Sequence, residues 1–371
     1  MCGDICPVNA ISYKDINGFW TPKINTEKCI NCGICLNRCP VGESINQIHW
    51  KHTLQCCGIV NPKKDIRLKS TSGGFFYTLA CDVLKNNGYV AGAVFDSNND
   101  VQHIITKDIS DLDKLMKSKY AQSNTEGIYK AVRKLVVEGE LVLFTGTPCQ
   151  VAALKQYLGK EYPNLITLDF ICCGISSPTI FSKYKAYMEK RYKSKIKSIE
   201  FKNKENGWRA ISTRIDFING KVYLEQGVND PYMISFVIDG NNMRESCYSC
   251  KFRRYEHMSD FTAGDFWGME KKYKSYDDNK GCTALMINSA KGIDIFNRIS
   301  DTFIFFLTDI DSIAEGNSTL YKDKEPSSDR KAFINEAVYG NYKKAIRKYS
   351  TYGKTCGLIP KIKRKLKKMI L

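Results

Sequence analysis

Nothing in this sequence is apolar for long enough to cross a bilayer, and no charged-then-apolar segment opens it as an export signal would. These two absences leave the cytoplasm as the default compartment. Histidine is scarce: the four residues show no metal-ligand spacing, and none is given a role. Acidic residues stop at Glu336, while eleven Lys and Arg lie between Lys343 and Lys368. The tail thus carries 11 of the net +17 charges, so the charge bears on the tail's partners rather than on the fold. No nucleic-acid reading motif accompanies it, and no nucleic-acid partner is expected.

What the sequence does have is cysteine. Sixteen thiols in 371 residues would be disulfides in a secreted chain. In a reducing cytoplasm, closely spaced cysteines more often bind metal. The length allows roughly two or three structural units. With 43% hydrophobic residues the chain can build a sizeable core.

The first cysteines form a bacterial ferredoxin run, Cys29-x2-Cys32-x2-Cys35-x3-Cys39-Pro40. Three thiolates spaced by two residues wrap three corners of one cubane, and the fourth, before proline, ligates the other cluster of a pair. A zinc knuckle is the rival reading. A second copy lies upstream: Cys2-x3-Cys6-Pro7-Val8 repeats Cys35-x3-Cys39-Pro40-Val41 at an offset of 33. Cys6 is therefore expected to complete a 4Fe–4S cluster with Cys29, Cys32 and Cys35. Cys2 and Cys39 belong to its twin, whose other two ligands would fall before Met1. A start lying inside a longer protein is the favoured reading of that gap, and a decayed site the other.

After residues 51–70, read as a linker with Cys56 and Cys57, helix and strand alternate. Helices are predicted over 72–87, 125–137 with Thr125 as N-cap, 148–158 and 178–192. Strands are predicted over 89–95, 141–144 and 165–171, which is the rhythm of βα units. Strands over 196–201, 211–217 and 222–224 follow, and one more over 283–287.

Six blocks stand out along this part: Ser70-Thr71-Ser72-Gly73-Gly74-Phe75, Ser118-Lys119-Tyr120-Ala121-Gln122-Ser123, Gly146-Thr147-Pro148-Cys149-Gln150, Asp169-Phe170-Ile171-Cys172-Cys173-Gly174, Cys247-Tyr248-Ser249-Cys250, and residues 259–268. In this order they resemble the coenzyme F420 hydrogenase/dehydrogenase β-subunit family, from about Thr71 to about Met286. The resemblance implies an FAD-containing iron–sulfur oxidoreductase. Members reduce the deazaflavin F420 or a chlorophyll derivative, and bacterial relatives occur in surface-polysaccharide gene clusters. It also implies that Lys119, Tyr120, Gln122 and Ser123 belong to the flavin region, with Thr147 counted beside them. Cys173 stands where the family usually has His, which leaves open whether Cys172 or Cys173 is the ligand.

The residues have a physical reading beside that resemblance. Ser72-Gly73-Gly74 opens a helix, where glycines admit a close backbone and the N-terminus attracts phosphate, as an FAD pyrophosphate requires; a plain helix cap reads equally well. A Lys119 ammonium near a flavin stabilises charge on the reduced ring. Cys149 at a helix N-terminus and Cys172 at a strand end share one edge of a parallel sheet. With the Cys247-x2-Cys250 clip they make a ligand set for a further 4Fe–4S cluster, zinc being the rival and buried thiols the plain alternative.

The expected class is α+β: a two-cluster ferredoxin-like unit (1–50), a linker (51–70), a mixed α/β flavin and iron–sulfur domain in two parts (71–138 and 139–308), and a helical basic tail (309–371). Ile362, Leu366, Met369 and Ile370 make that tail amphipathic, suited to an anionic membrane surface, a partner, or plain solvent. The expected function is electron transfer from the ferredoxin unit through the second cysteine set to FAD and a two-electron acceptor, a small molecule or glycan-related compound, with a redox partner protein or reductase. The alternatives are a non-catalytic electron-transfer adaptor and a metal-stapled assembly protein for glycan synthesis.

Overall fold

The computed structural model describes residues 1–42 and 49–356. The expected amphipathic segment 361–371 lies outside them. The chain opens on a helical turn, Cys2–Ile5, and an antiparallel hairpin of β1 (Ile11–Ile16) and β2 (Phe19–Ile24). Asn17 and Gly18 both have positive φ, as a type I′ hairpin turn requires. The following strands are β3 (Gln55–Val60), β4 (Tyr89–Phe95), β5 (Val101–Thr106), β6 (Val142–Thr145) and β7 (Leu165–Phe170). After these come β8 (Ile196–Asn203), β9 (Ser212–Phe217), β10 (Val222–Gln226), β11 (Phe261–Asp265), β12 (Thr283–Ile287) and β13 (Ile304–Thr308).

Eight strands form one mixed sheet in the order β13-β3-β12-β11-β7-β6-β4-β5. At its centre β4, β6, β7 and β11 run parallel. Antiparallel β5 closes one edge, and β12, β3 and β13 extend the other. Alternation along each strand splits the core in two. Val90, Val94, Leu143 and Leu168 pack with Phe75, Leu79 and Val83 of helix Phe75–Lys85 and with Phe296 of helix Ala290–Ile299. Ala91, Val142, Phe144 and Leu165 face the other way, onto Tyr129, Val132 and Val136 of helix Ile128–Val137 and Val151 and Leu154 of helix Pro148–Leu158. A separate antiparallel sheet of β8, β9 and β10 packs on helix Pro178–Tyr192 and on Phe333, Ile334 and Ile346 near the C-terminal end. The α+β class expected from the sequence is the one adopted. Among the described residues no helix is long and apolar enough to cross a membrane.

Three expectations need correction. Residues 51–70 are not simply a linker: Cys56, Cys57, Ile59 and Val60 are buried in β3, inside the sheet between β12 and β13. Thr125 does not cap its helix. That helix starts after Gly127, and the Asp4 carboxylate accepts from the main-chain N–H groups of Gly127 (3.0 Å), Tyr129 (3.1 Å) and Lys130 (3.4 Å). The cap is thus supplied by the N-terminal unit. Residues 259–268, read only as a motif block, contain β11, which pairs with β7 and β12.

The N-terminal unit is seated on the larger body. Phe19 joins the core of helix Pro178–Tyr192, and Met1 packs with Tyr129 and Val151. Gln122 grips β2 through both ends of its amide: Oε1 accepts from Trp20 N at 3.0 Å and Nε2 donates to Trp20 O at 3.1 Å. Ser177 Oγ donates to Gly18 O at 2.6 Å. Replacing Gln122 by Ala removes two bonds and is expected to loosen this contact by about 2 kcal/mol. Hydrogen exchange at β1 and β2 reads it: faster exchange in the hairpin, with the central sheet unchanged, is the expected result.

Candidate functional site

Three parallel strands, β6, β7 and β11, end on one edge of the sheet. In parallel α/β sheets ligands bind beyond that carboxyl edge. A cavity of about 700 Å³ lies there, lined by Thr145 to Thr147, Leu168 to Cys173 and Ala263 to Asp265, and closed from the far side by Lys202, Ser212, Thr213 and Gln226 of the small sheet. Its size suits a dinucleotide more than a small metabolite.

Of the residues expected to hold a flavin, Ser72, Gly74, Lys119, Tyr120, Ser123 and Thr147 line this cavity; Gly73 and Gln122 do not. Gln122 is spent on Trp20. A Cβ on Gly73 would stand 1.9 Å from Ile59 O and 2.6 Å from Thr283 N, so its glycine is demanded by β3 and β12. Ser72 Oγ is 2.7 Å from Thr283 Oγ1, which also accepts from Gly73 N at 2.8 Å. Tyr120 packs edge-on to Phe201, with its ring in the wall of the cavity. Lys119 Nζ donates to the carbonyls of Lys114, Met116 and Lys117, at 2.6, 2.5 and 3.3 Å. It staples its own loop, and burial brings its ammonium down to about 7.

Three residues that sequence reasoning missed also face the cavity. Lys202 lines it from a bulged stretch of β8, with a positive φ of 56°, and is paired with Asp265. Burial and Asp265 act on it in opposite senses, and its ammonium is held above the usual range. Arg209 adds a second cation to the lining. His103 is buried, its Nδ1 2.6 Å from Ser123 Oγ and its Nε2 3.2 Å from Thr145 O. Burial lowers it from 6.5 to about 4. Because the unfolded chain takes up the proton first, stability is lost as pH falls from 6.5 and levels off near 4. The wild type is expected to lose roughly 3 kcal/mol relative to His103→Gln over that window. Paired urea titrations at each pH check this, since other titrating groups cancel in the difference.

A second, smaller cavity, of about 30 Å³, lies behind the first. Cys149, Cys172, Cys247 and Cys250 all line it, with Arg253 and His257. Thr147 and Gln150 form a reciprocal capping box that fixes helix Pro148–Leu158, with Cys149 in its first turn and Thr147 Oγ1 3.1 Å from Cys149 Sγ. Cys172 follows the end of β7, and Cys247 closes a helical turn at Glu245–Cys247. Burial raises the thiols of Cys149 and Cys172, and neighbouring thiols raise them further. Cys247 is pushed up to about 12 for the same reasons. Four thiols so placed cannot ionise together unless iron or another cation joins them. Ile171, Cys172, Gly174 and Ile175 line both cavities, whereas Cys173 lines only the larger.

In the N-terminal unit Asn31 and Gly33, alternating with Cys32, have positive φ of 54° and 70° and curl the loop from Cys29 to Cys35. Ala10 N donates to Cys6 Sγ at 3.2 Å, the kind of bond that supports a cluster thiolate. Burial raises the Cys2 thiol, and Cys39 and then Cys35 add to it, so Cys2 stands beside the partner that the repeat gives it. All fifteen described cysteines are free thiols. Among the described residues no three His, Cys, Asp or Glu gather tightly enough to hold a single metal ion.

Comparison with known proteins follows the same division. Residues 1–43 match the family model of a 4Fe-4S dicluster domain. An uncharacterized ferredoxin of Methanocaldococcus jannaschii is 42% identical over 55 residues, which are 14% of this chain. The match spans 34% of that relative's length. Residues 139–312 match the family model for the C terminus of the coenzyme F420 hydrogenase/dehydrogenase beta subunit. The chain joins a dicluster ferredoxin domain to an F420 hydrogenase/dehydrogenase β-subunit domain. The resemblance read from the sequence holds for both parts. The fold is also similar to a chain of the F420-reducing NiFe hydrogenase complex from Methanosarcina barkeri, at 17% identity and a TM-score of 0.48, covering 79% of this chain and 91% of that one. Within the β-subunit domain lie β6 to β13, all four cysteines of the small cavity, and Lys202, Arg253 and His257.

Proposed function

We propose that the chain is an electron-transferring oxidoreductase subunit whose ferredoxin unit feeds a 4Fe–4S cluster on Cys149, Cys172, Cys247 and Cys250, and through it FAD in the large cavity. One observation carries this reading: the segment from Ile171 to Ile175 is wall to both cavities. Groups held on its two sides would be separated by little more than one layer of chain.

Bound there, FAD would supply the exchange between one-electron and two-electron steps. The chain's own part is to bind and orient. Lys202 and Arg209 offer positive charge to an anionic ligand, and the hydroxyls of Ser72, Ser123 and Thr147 border the same space. Phe170, Ile171 and Trp267 supply apolar wall. Arg244 links the ferredoxin unit to the thiols: its Nη1 donates to Trp20 O at 3.3 Å, and its charge favours the thiolates of Cys149 and Cys247. A redox partner protein would deliver electrons to the ferredoxin unit. The acceptor is a two-electron acceptor, F420-like or glycan-related, that reaches the large cavity.

Anaerobic purification followed by iron, zinc and flavin analysis tests the proposal. About one FAD per chain and iron for at least two clusters, without zinc, is the supporting result. Clusters without flavin would make the chain an adaptor, and zinc at the four cysteines would make it a stapled scaffold.

A further inference from the structure

The thiol cavity holds more than thiols. Among the described residues six buried side-chain polar atoms lack a hydrogen-bond partner, and two of them, Arg253 Nε and His257 Nε2, belong to residues lining this one small space. Leaving a buried donor unpaired costs about 1–3 kcal/mol, so two around one cavity call for an acceptor inside it.

Both side chains are fixed by their other atoms. Arg253 Nη1 donates to Cys247 O at 3.2 Å and pairs with Asp323, and Nη2 donates to Cys173 O at 3.3 Å. Its guanidinium therefore spans from the Cys247-x2-Cys250 clip to the segment between the two cavities. His257, 3% exposed, holds Asp169 Oδ2 through Nδ1 at 3.0 Å. Asp169 also accepts from Thr262 Oγ1 at 2.5 Å, so its carboxylate is fixed from two sides. The main chain of His257 is tied to Lys51 by bonds of 2.8 and 3.1 Å. In the ion pair with Asp169 the imidazole carries a proton on each nitrogen, leaving an Nε2–H to donate.

We propose that Arg253 Nε–H and His257 Nε2–H are the donors that set the reduction potential of the cluster held by Cys149, Cys172, Cys247 and Cys250, by hydrogen bonding to its sulfur. The inference rests on the reading that a cluster occupies these cysteines. Reduction adds negative charge to the core, and a donor aimed at sulfur stabilises the reduced form more than the oxidised one. Arg253 and His257 are positioning residues here, acting on the potential and on no substrate.

The test is a redox titration of the full chain followed by electron paramagnetic resonance, the relevant signal being the one lost in Cys172→Ser. His257→Leu and Arg253→Met are each expected to lower its midpoint so that the reduced fraction at fixed potential drops about tenfold in ratio, or about 59 mV for one electron. His257→Gln, which keeps an N–H donor, is expected to recover part of the shift. The signal of the ferredoxin unit should stay in place in every variant. An unchanged midpoint in His257→Leu and Arg253→Met overturns the inference, as does loss of the cluster from His257→Gln, which would make His257 a ligand. If His257→Leu fails to fold, Asp169→Asn replaces it and must lower the midpoint too. Absence of any signal dependent on Cys172 in the wild type defeats the functional reading instead, which keeps the two failures apart.

Discussion

Cys172→Ser is expected to cost the chain about four iron atoms, while Cys173→Ser costs none. The two cysteines are adjacent, equally free and both buried enough to raise their thiols, so neither exposure nor ionisation separates them. Placement does. Cys172 lines the cavity shared with Cys149, Cys247 and Cys250, and its thiol is raised further by Cys173, Cys247 and Cys149. Cys173 turns into the large cavity, where Lys202 favours its thiolate. Serine at 172 leaves three ligands around a core that needs four, and in a buried site no water readily takes the fourth place. Iron analysis of the two variants beside the wild type decides the matter. Iron lost from Cys173→Ser and kept in Cys172→Ser would reverse the assignment.

The second large effect concerns Gly73. Gly73→Ala is expected to destabilise the chain by at least about 3 kcal/mol. The added methyl would enter the main chain of β3 and β12 rather than the end of a flexible side chain, so relief requires moving a strand. Both strands sit in the middle of the antiparallel half of the sheet. Gly74→Ala meets milder contacts, the nearest being Asn61 Cβ at 3.0 Å, but must hold a φ of 95°. That strain makes it the second-worst substitution of the block. Urea unfolding of Gly73→Ala measures the loss. A stability within about 1 kcal/mol of wild type would show that β3 does not lie where it is placed.

Gly73 also shows how far the sequence could be read. Ser72-Gly73-Gly74 before a helix carries the signature of a phosphate cradle, and Ser72 and Gly74 do border the large cavity. Nothing local distinguishes a glycine that admits a ligand from one that admits a strand distant in sequence. The same blindness hid β3. Cys56 and Cys57 stand among lysines and near a proline, and read as connection until β12 and β13 supply their hydrogen bonds. The central βα rhythm was legible because each strand there is a short apolar run between helix signals. β4 and β12 fall on 89–95 and 283–287 as predicted, and helices Pro148–Leu158 and Pro178–Tyr192 likewise.

The cysteines were legible because spacing is chemistry: a cubane needs thiolates spaced by two residues. Arg253, His257, His103 and Lys202 were not, because each matters through something distant in sequence. His257 meets Asp169 88 residues away, and Lys202 meets Asp265 at a separation of 63. A lone histidine without ligand spacing gives no sign of standing beside four thiols. Lys119 erred the other way. Its motif drew attention to the ammonium, which is spent on three carbonyls of its own loop, while Lys202 brings positive charge to the cavity.

The account depends on electrons passing from the ferredoxin unit through the four-cysteine site to a flavin in the same chain. Anaerobic reduction by a low-potential one-electron donor, followed by rapid mixing and flavin absorbance, tests this most directly. Wild type is predicted to bleach its flavin with an added donor protein. Cys172→Ser, with its ferredoxin unit still loaded and its flavin still bound, is predicted to bleach at least tenfold more slowly. Equal rates in the two proteins would contradict the route.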